Sequence, residues 1–161
     1  MNAGMLVRAI APSDEASYRA ILETTSAEDR YCRFFHAVDH LDPDEVHRFV
    51  ETRDDMIGVI AHDGDAPLGA AHAALLDAET AELAIVVASG ARNHGVGAAL
   101  LDALIAALKK RGYRRLIACA LRENHPLTTL VKHAGFTVER ADGDALRWVL
   151  PLTAGEGTAA R

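Results

Sequence analysis

Residues 82–112, ELAIVVASGARNHGVGAALLDALIAALKKRG, decide the architecture of the chain. The opening ELAIVVA is a short apolar run rich in β-branched residues, the composition of a buried strand. Two glycines follow, Gly95 and Gly97. Beyond them Val96, Ala99, Leu100, Ala103, Leu104, Ala107 and Leu108 recur three and four apart, which is one face of a helix. Lys109, Lys110 and Arg111 fill its last turn and Gly112 follows, the chemistry of a helix C-terminus. The unit is strand, glycine loop, helix.

Backbone electrostatics say what such a unit can hold. The first N–H groups of a helix lack partners within it and carry partial positive charge. Gly95 and Gly97 let an anion approach them without meeting a Cβ, and Arg92 adds a cation just ahead, so the loop reads as a phosphate site. A nucleoside-triphosphate loop needs Lys and Ser or Thr after its last glycine, where Ala98 and Ala99 stand. A dinucleotide fingerprint needs a third glycine where Leu100 stands, although Glu123 after the next strand keeps that reading open.

Working outward, strands are expected at 5–10, 56–63, 67–77, 114–121, 136–140 and 145–152, the last two a hairpin about Asp142–Gly143. Helices are expected from Pro12–Ser13–Asp14 through residue 26, over an aromatic-faced stretch around Tyr31, Phe34 and Phe35, over 42–51, and after Asn124 at an N-cap. Length indicates one domain, residues 1–152, with the small polar tail 153–161 expected to be disordered.

Half the 161 residues are hydrophobic and a quarter charged, an ordinary soluble composition. A net charge of −6 argues against general nucleic-acid affinity; it suits a basic acceptor such as an amine, though solubility alone accounts for it. Cys32 and Cys119 form no C-x-x-C pair, so neither a zinc knuckle nor a disulfide framework is signalled. The N-terminus lacks the basic lead and apolar core of a secretory signal, and no apolar run approaches a membrane span. A cytoplasmic protein, without a membrane partner, is the expectation. His36 and His40 lie four apart beside Asp39 and Asp42, but no third ligand is set by spacing, so no metal is expected.

The run Arg92-Asn93-His94-Gly95-Val96-Gly97-Ala98, opening a helix after a strand, resembles the signature of the GNAT superfamily of acyltransferases. The following strand, Asn124, and the Gly135–Phe136 pair continue that likeness through the second half of the fold. Ser26, Tyr31, Arg33 and Phe34 further resemble a run in the catalytic domain of bacterial protein-lysine acetyltransferases. The resemblance implies an α/β (α+β) fold with a mixed, mostly antiparallel central sheet flanked by helices on both faces. It also implies acetyl-CoA as cosubstrate, with its pyrophosphate on residues 92–98.

It further implies site residues. Glu82 is the general-base candidate; it shares a strand face with Ala84 and Val86, where a carboxylate is costly unless it meets water or a partner. Ile85, Val86 and Val87 would offer backbone groups to the pantetheine arm, and Asn124, Leu127, Leu130 and Val131 would contact the cofactor from the later helix. The tyrosine acid common in the family is replaced by Val131, so thiolate is expected to leave unaided; Cys119 and His125 are the polarisable groups nearby in sequence that could protonate it, and neither is favoured. Tyr31, Phe34 and Phe35 are either core or a wall of the acceptor groove. The expected reaction is acetyl transfer to a primary amine, a protein lysine favoured over a small amine, by a monomer or homodimer. A non-catalytic acyl-CoA-binding module is the alternative of a different class.

Overall fold

The computed structural model describes residues 4–25, 43–51, 53–91 and 95–152. Along the chain it runs β1 (Met5–Ala9), α1 (Glu15–Glu23), α2 (Pro43–Arg48), β2 (Met56–Asp63), β3 (Ala66–Leu75), β4 (Thr80–Val87), α3 (Val96–Lys110), β5 (Arg115–Leu121), α4 (His125–Ala134), β6 (Thr137–Asp142) and β7 (Ala145–Pro151). The strands form one sheet in the order β1-β2-β3-β4-β5-β7-β6. Every pairing is antiparallel except β4 with β5. The mixed, mostly antiparallel sheet with helices on both faces is therefore as expected.

Strand alternation sorts the core into two. On one face Val59 and Ala61 of β2, Ala71 and Ala73 of β3, and Ala81 and Leu83 of β4 lie under α3. That helix buries Val96, Leu100, Leu101, Leu104 and Leu108. The buried stripe is broader than the three-and-four spacing suggested: Leu101 joins it, while Ala99, Ala103 and Ala107 flank it half-buried. On the opposite face Ile60, Ala70 and Val86 pack with Tyr18, Ile21 and Leu22 of α1, Val46 of α2 and Val50.

Some bounds shift for physical reasons. Residues 12–14 form a 3-10 turn ahead of α1, because the Asp14 carboxylate accepts the Ala11 N–H at 2.8 Å and grips the Arg8 guanidinium at 2.7 and 2.8 Å. That pairing holds the Asp14 carboxyl below its ordinary range, the Arg8 hydrogen bonds first among the causes. Strand β4 starts at Thr80, so Glu82 is its third residue. The hairpin turn between β6 and β7 carries Gly143 at φ +62°. Strand β7 is anchored at its end by the Leu152 N–H donating to Arg114 O at 2.7 Å. The aromatic-faced stretch with Tyr31, Phe34 and Phe35, the His36–His40 pair, Arg92, Asn93 and His94, and the tail 153–161 lie outside the described residues.

Candidate active site

The site arises where two parallel strands part. Strands β4 and β5 pair from Thr80 with Arg115 to Leu83 with Ala118. Beyond that row β4 runs on to Val87 and β5 to Leu121 without pairing each other, so the sheet opens as a fork. Ala88 donates its N–H to Leu68 O of β3 at 2.8 Å. Backbone groups alternate sides along a strand, so Ile85 and Val87 turn theirs toward the fork.

A cavity of about 840 Å³ follows this opening. Leu83 to Val87 form one wall, and Cys119 marks the β5 side. Gly95 to Ala98, at the start of α3, lie at another end, and Asn124, Leu127 and Leu130 contribute from the α4 segment. Gly95 is the N-cap of α3 with φ +81°, a left-handed conformation that favours glycine. A Cβ added to Gly97 would enter the space between Leu130 (3.4 Å) and Val87 (3.8 Å), both on the cavity wall. The residues present thus make a cradle that a larger side chain would begin to fill, with helix N–H groups at hand for an anion.

Of the candidates in the described residues, the structure brings Ile85, Val86, Val87, Gly95, Val96, Gly97, Ala98, Asn124, Leu127 and Leu130 onto one cavity. Asn124 caps α4, its Oδ1 accepting the Leu127 N–H at 3.2 Å. Val131 is placed differently: it is fully buried in the core under α3, not on the wall. Glu82 is half-buried, on the face of β4 that turns away from α3, one row before the strands part; it is not itself on the cavity wall.

Sequence reasoning left out several wall residues. Pro126, Thr129 and His133 line the cavity beside His125, which had been weighed only as an acid, and the four-residue spacing of His125, Thr129 and His133 along α4 was a signal in plain view. Cys119 had been weighed only as an acid. It is half-buried, and burial together with the Glu82 carboxylate, which accepts a hydrogen bond from the thiol, pushes its pKa up to about 11. At neutral pH it is a thiol, a donor and not a nucleophile.

A second omission is His72 of β3. It is 2 % exposed and pairs across the sheet with Ala84. Its Nε2 lies 2.6 Å from Phe49 O, so that nitrogen carries the proton. The ring meets Tyr18 and Phe49 edge-on, centroids 5.5 and 5.0 Å away. Gly58 opposite makes the slot: a Cβ there would lie 2.7 Å from His72 Cδ2. His72, Ala84 and Cys119 therefore follow one another across the face that carries Glu82.

Comparison with known proteins agrees with this geometry. The model of the acetyltransferase (GNAT) family matches residues 16–136. The GNAT domain of S. lividans PAT is 28% identical and superposes with a TM-score of 0.82, over 91% of this chain and 89% of that one. The protein yncA of Salmonella typhimurium, solved with its cofactor acetyl-CoA, is 19% identical (TM-score 0.71, 92% and 94% covered). Spermidine N-acetyltransferase of Vibrio cholerae, solved with CoA and spermine, is 15% identical (TM-score 0.74, 95% and 98% covered).

Proposed function

The chain belongs to the GNAT acetyltransferase family, and from that premise we propose that its acceptor is a protein lysine and its general base Glu82. Members of the family are acetyl-CoA-dependent N-acetyltransferases, and this chain is an enzyme of that class. The observation that carries the finer reading is the fork. The cavity reaches from the α3 N-terminus to the last paired row of β4 and β5, and Glu82 stands in the row beside it on the face away from α3.

Acetyl-CoA, when bound, supplies an acyl group activated as a thioester. The chain's own groups do the rest. The α3 N-terminus with Gly95 to Ala98 is suited to a diphosphate. Ile85 and Val87, with backbone groups turned into the fork, are suited to hold an extended arm as a further strand would be held. An N–H in that row, aimed at the thioester oxygen, stabilises the negative charge that grows there. A free lysine has a pKa of about 10.4, so its ammonium must lose a proton before the nitrogen can attack. The Glu82 carboxylate takes that proton, the N–H bond breaking as an O–H bond forms. The freed nitrogen then forms the C–N bond to the acyl carbon as the thioester C–S bond breaks and coenzyme A leaves as its thiolate.

The lysine assignment is supported by the likeness to S. lividans PAT, by the Ser26–Phe34 run, and by an acidic chain of net charge −6 that suits a basic acceptor. The test is transfer from acetyl-CoA to separate pools of lysine peptides and small amines, with wild type and Glu82→Gln. Peptides should be acetylated, and kcat should fall about 10²- to 10⁴-fold in the variant with CoA affinity kept. Unchanged turnover of the variant removes Glu82 from the mechanism. Transfer to small amines alone removes the lysine reading.

A further inference from the structure

Glu82 is one row below the cavity and does not line it, whereas Cys119 does. Glu82 pairs with Ile117 across the parallel β4–β5 ladder, and Cys119, two residues on, lies on the same face. It is also the first residue of β5 beyond the last pair with β4, Leu83 with Ala118, so it stands at the apex of the fork. Ala84, next after the last paired residue of β4, lies on the same face and lines the cavity with it. From this placement on one face at the apex of the fork, we infer that Cys119 is a positioning residue for Glu82: its S–H donates to one carboxylate oxygen and leaves the other for the amine. This rests on Glu82 being the base.

The surroundings favour a donor in this place. The charged and titratable groups toward Cys119 are Glu82 from β4, Arg147 from β7, directly across the β5–β7 pair, and Arg140 from β6. His72 of β3 is on the same face beyond Ala84. Arg147 is engaged by Glu139, Nε to Oε1 2.9 Å. Burial and the Glu82 charge act together to keep the proton on sulfur, outweighing the two arginines. As a thiol it holds the carboxylate in one rotamer while the carboxylate does the proton transfer.

Three variants and two readouts test this. With acetyl-CoA and a mixed pool of lysine peptides and diamines, followed by loss of thioester absorbance, Cys119→Ala should lower kcat about tenfold, the scale of a modest misplacement of a reacting group. Its KM for acetyl-CoA should stay the same, and Cys119→Ser, which keeps a donor, should restore the rate to within about twofold. Full activity of the alanine variant, or a serine variant as slow as alanine, overturns the inference. The second readout needs no turnover. Iodoacetamide alkylation of Cys119, measured on its own peptide by mass spectrometry at pH 8.5, should be about threefold or more faster in Glu82→Gln, because the neutral amide no longer opposes thiolate formation. An unchanged rate shows that the two side chains are not coupled and overturns the inference. A Glu82→Gln variant that alkylates faster yet turns over normally overturns the base assignment and, with it, the positioning role, while leaving the contact between the two side chains standing.

Discussion

The two faces of the sheet are built from different materials. Under α3 the core is aliphatic and continuous: Leu100, Leu101, Leu104 and Leu108 lie on Val59, Ala61, Ala71 and Ala73, all buried. The face toward α1 and α2 has a smaller core, and polar groups are set into it: His72 against Tyr18 and Phe49, then Glu82 and Cys119. Apolar burial is non-directional and supplies most of the folding free energy. Polar groups in a partly desolvated face must each find a partner, and these partners fix direction. The division places stability on one side of β4 and orientation on the other, within a single strand whose residues alternate between them.

The largest effect should come from breaking the aliphatic face. Leu104 is fully buried, and Leu104→Ala should cost about 2–5 kcal/mol, read by urea unfolding, while KM values measured below the transition stay near wild type. Breaking the opposite face should cost less and disturb more chemistry. His72→Ala removes the 2.6 Å bond to Phe49 O at about 1–3 kcal/mol. It should also raise the KM for the amine several-fold without changing the affinity for CoA. Equal effects of the two variants on the acceptor KM would erase the distinction between the faces.

How much of this was legible depends on whether a feature is local. The strand–glycine–helix unit could be read because its signals lie within one turn or one strand of each other: Gly95 at φ +81° and the leucines of α3 are local chemistry. The base candidate was legible as a carboxylate in an apolar run. Its partner was not, because Cys119 meets Glu82 only through the register of a parallel pair joined by the whole of α3. His72 was hidden for the same reason. A lone histidine among alanines shows nothing until the β2–β3 register sets Gly58 opposite it. The burial of Val131, where the family tyrosine would stand, likewise follows from how α4 is rotated against α3 and not from its spacing.

Gly97 separates folding from binding more finely. As a helical residue it lowers stability relative to alanine, and the nearest atoms to an added Cβ, Leu130 Cδ2 at 3.4 Å and Cδ1 at 3.6 Å, are at ordinary contact distance. Gly97→Ala should therefore gain about 0.5–1 kcal/mol. The same methyl enters the cavity beside Val87, so the CoA Kd measured by calorimetry should rise. A variant that is more stable and binds equally well would show that the cofactor does not approach the α3 backbone closely.

The smallest effect concerns how α2 is held over the polar face. His47 Nδ1 lies 2.9 Å from Glu15 Oε1 of α1, and both side chains are solvated. The hydrogen bond to Glu15 raises the His47 pKa above 6.5 and lowers that of Glu15 below 4.5. A raised imidazole contributes stability that is complete below its unfolded value and is lost as pH rises through the folded one; the depressed carboxylate contributes above its own unfolded value and loses it in acid. The contact therefore contributes most between the two, near pH 5.5, and fades toward pH 8. The urea midpoint of wild type should fall slightly between those values relative to Glu15→Gln, and 0.5 M salt should flatten the difference, since an exposed pair is screened. A pH dependence identical in the variant would mean that α2 is held by Val46 and Val50 in the apolar core alone, and that the ion pair does not help to fix this face.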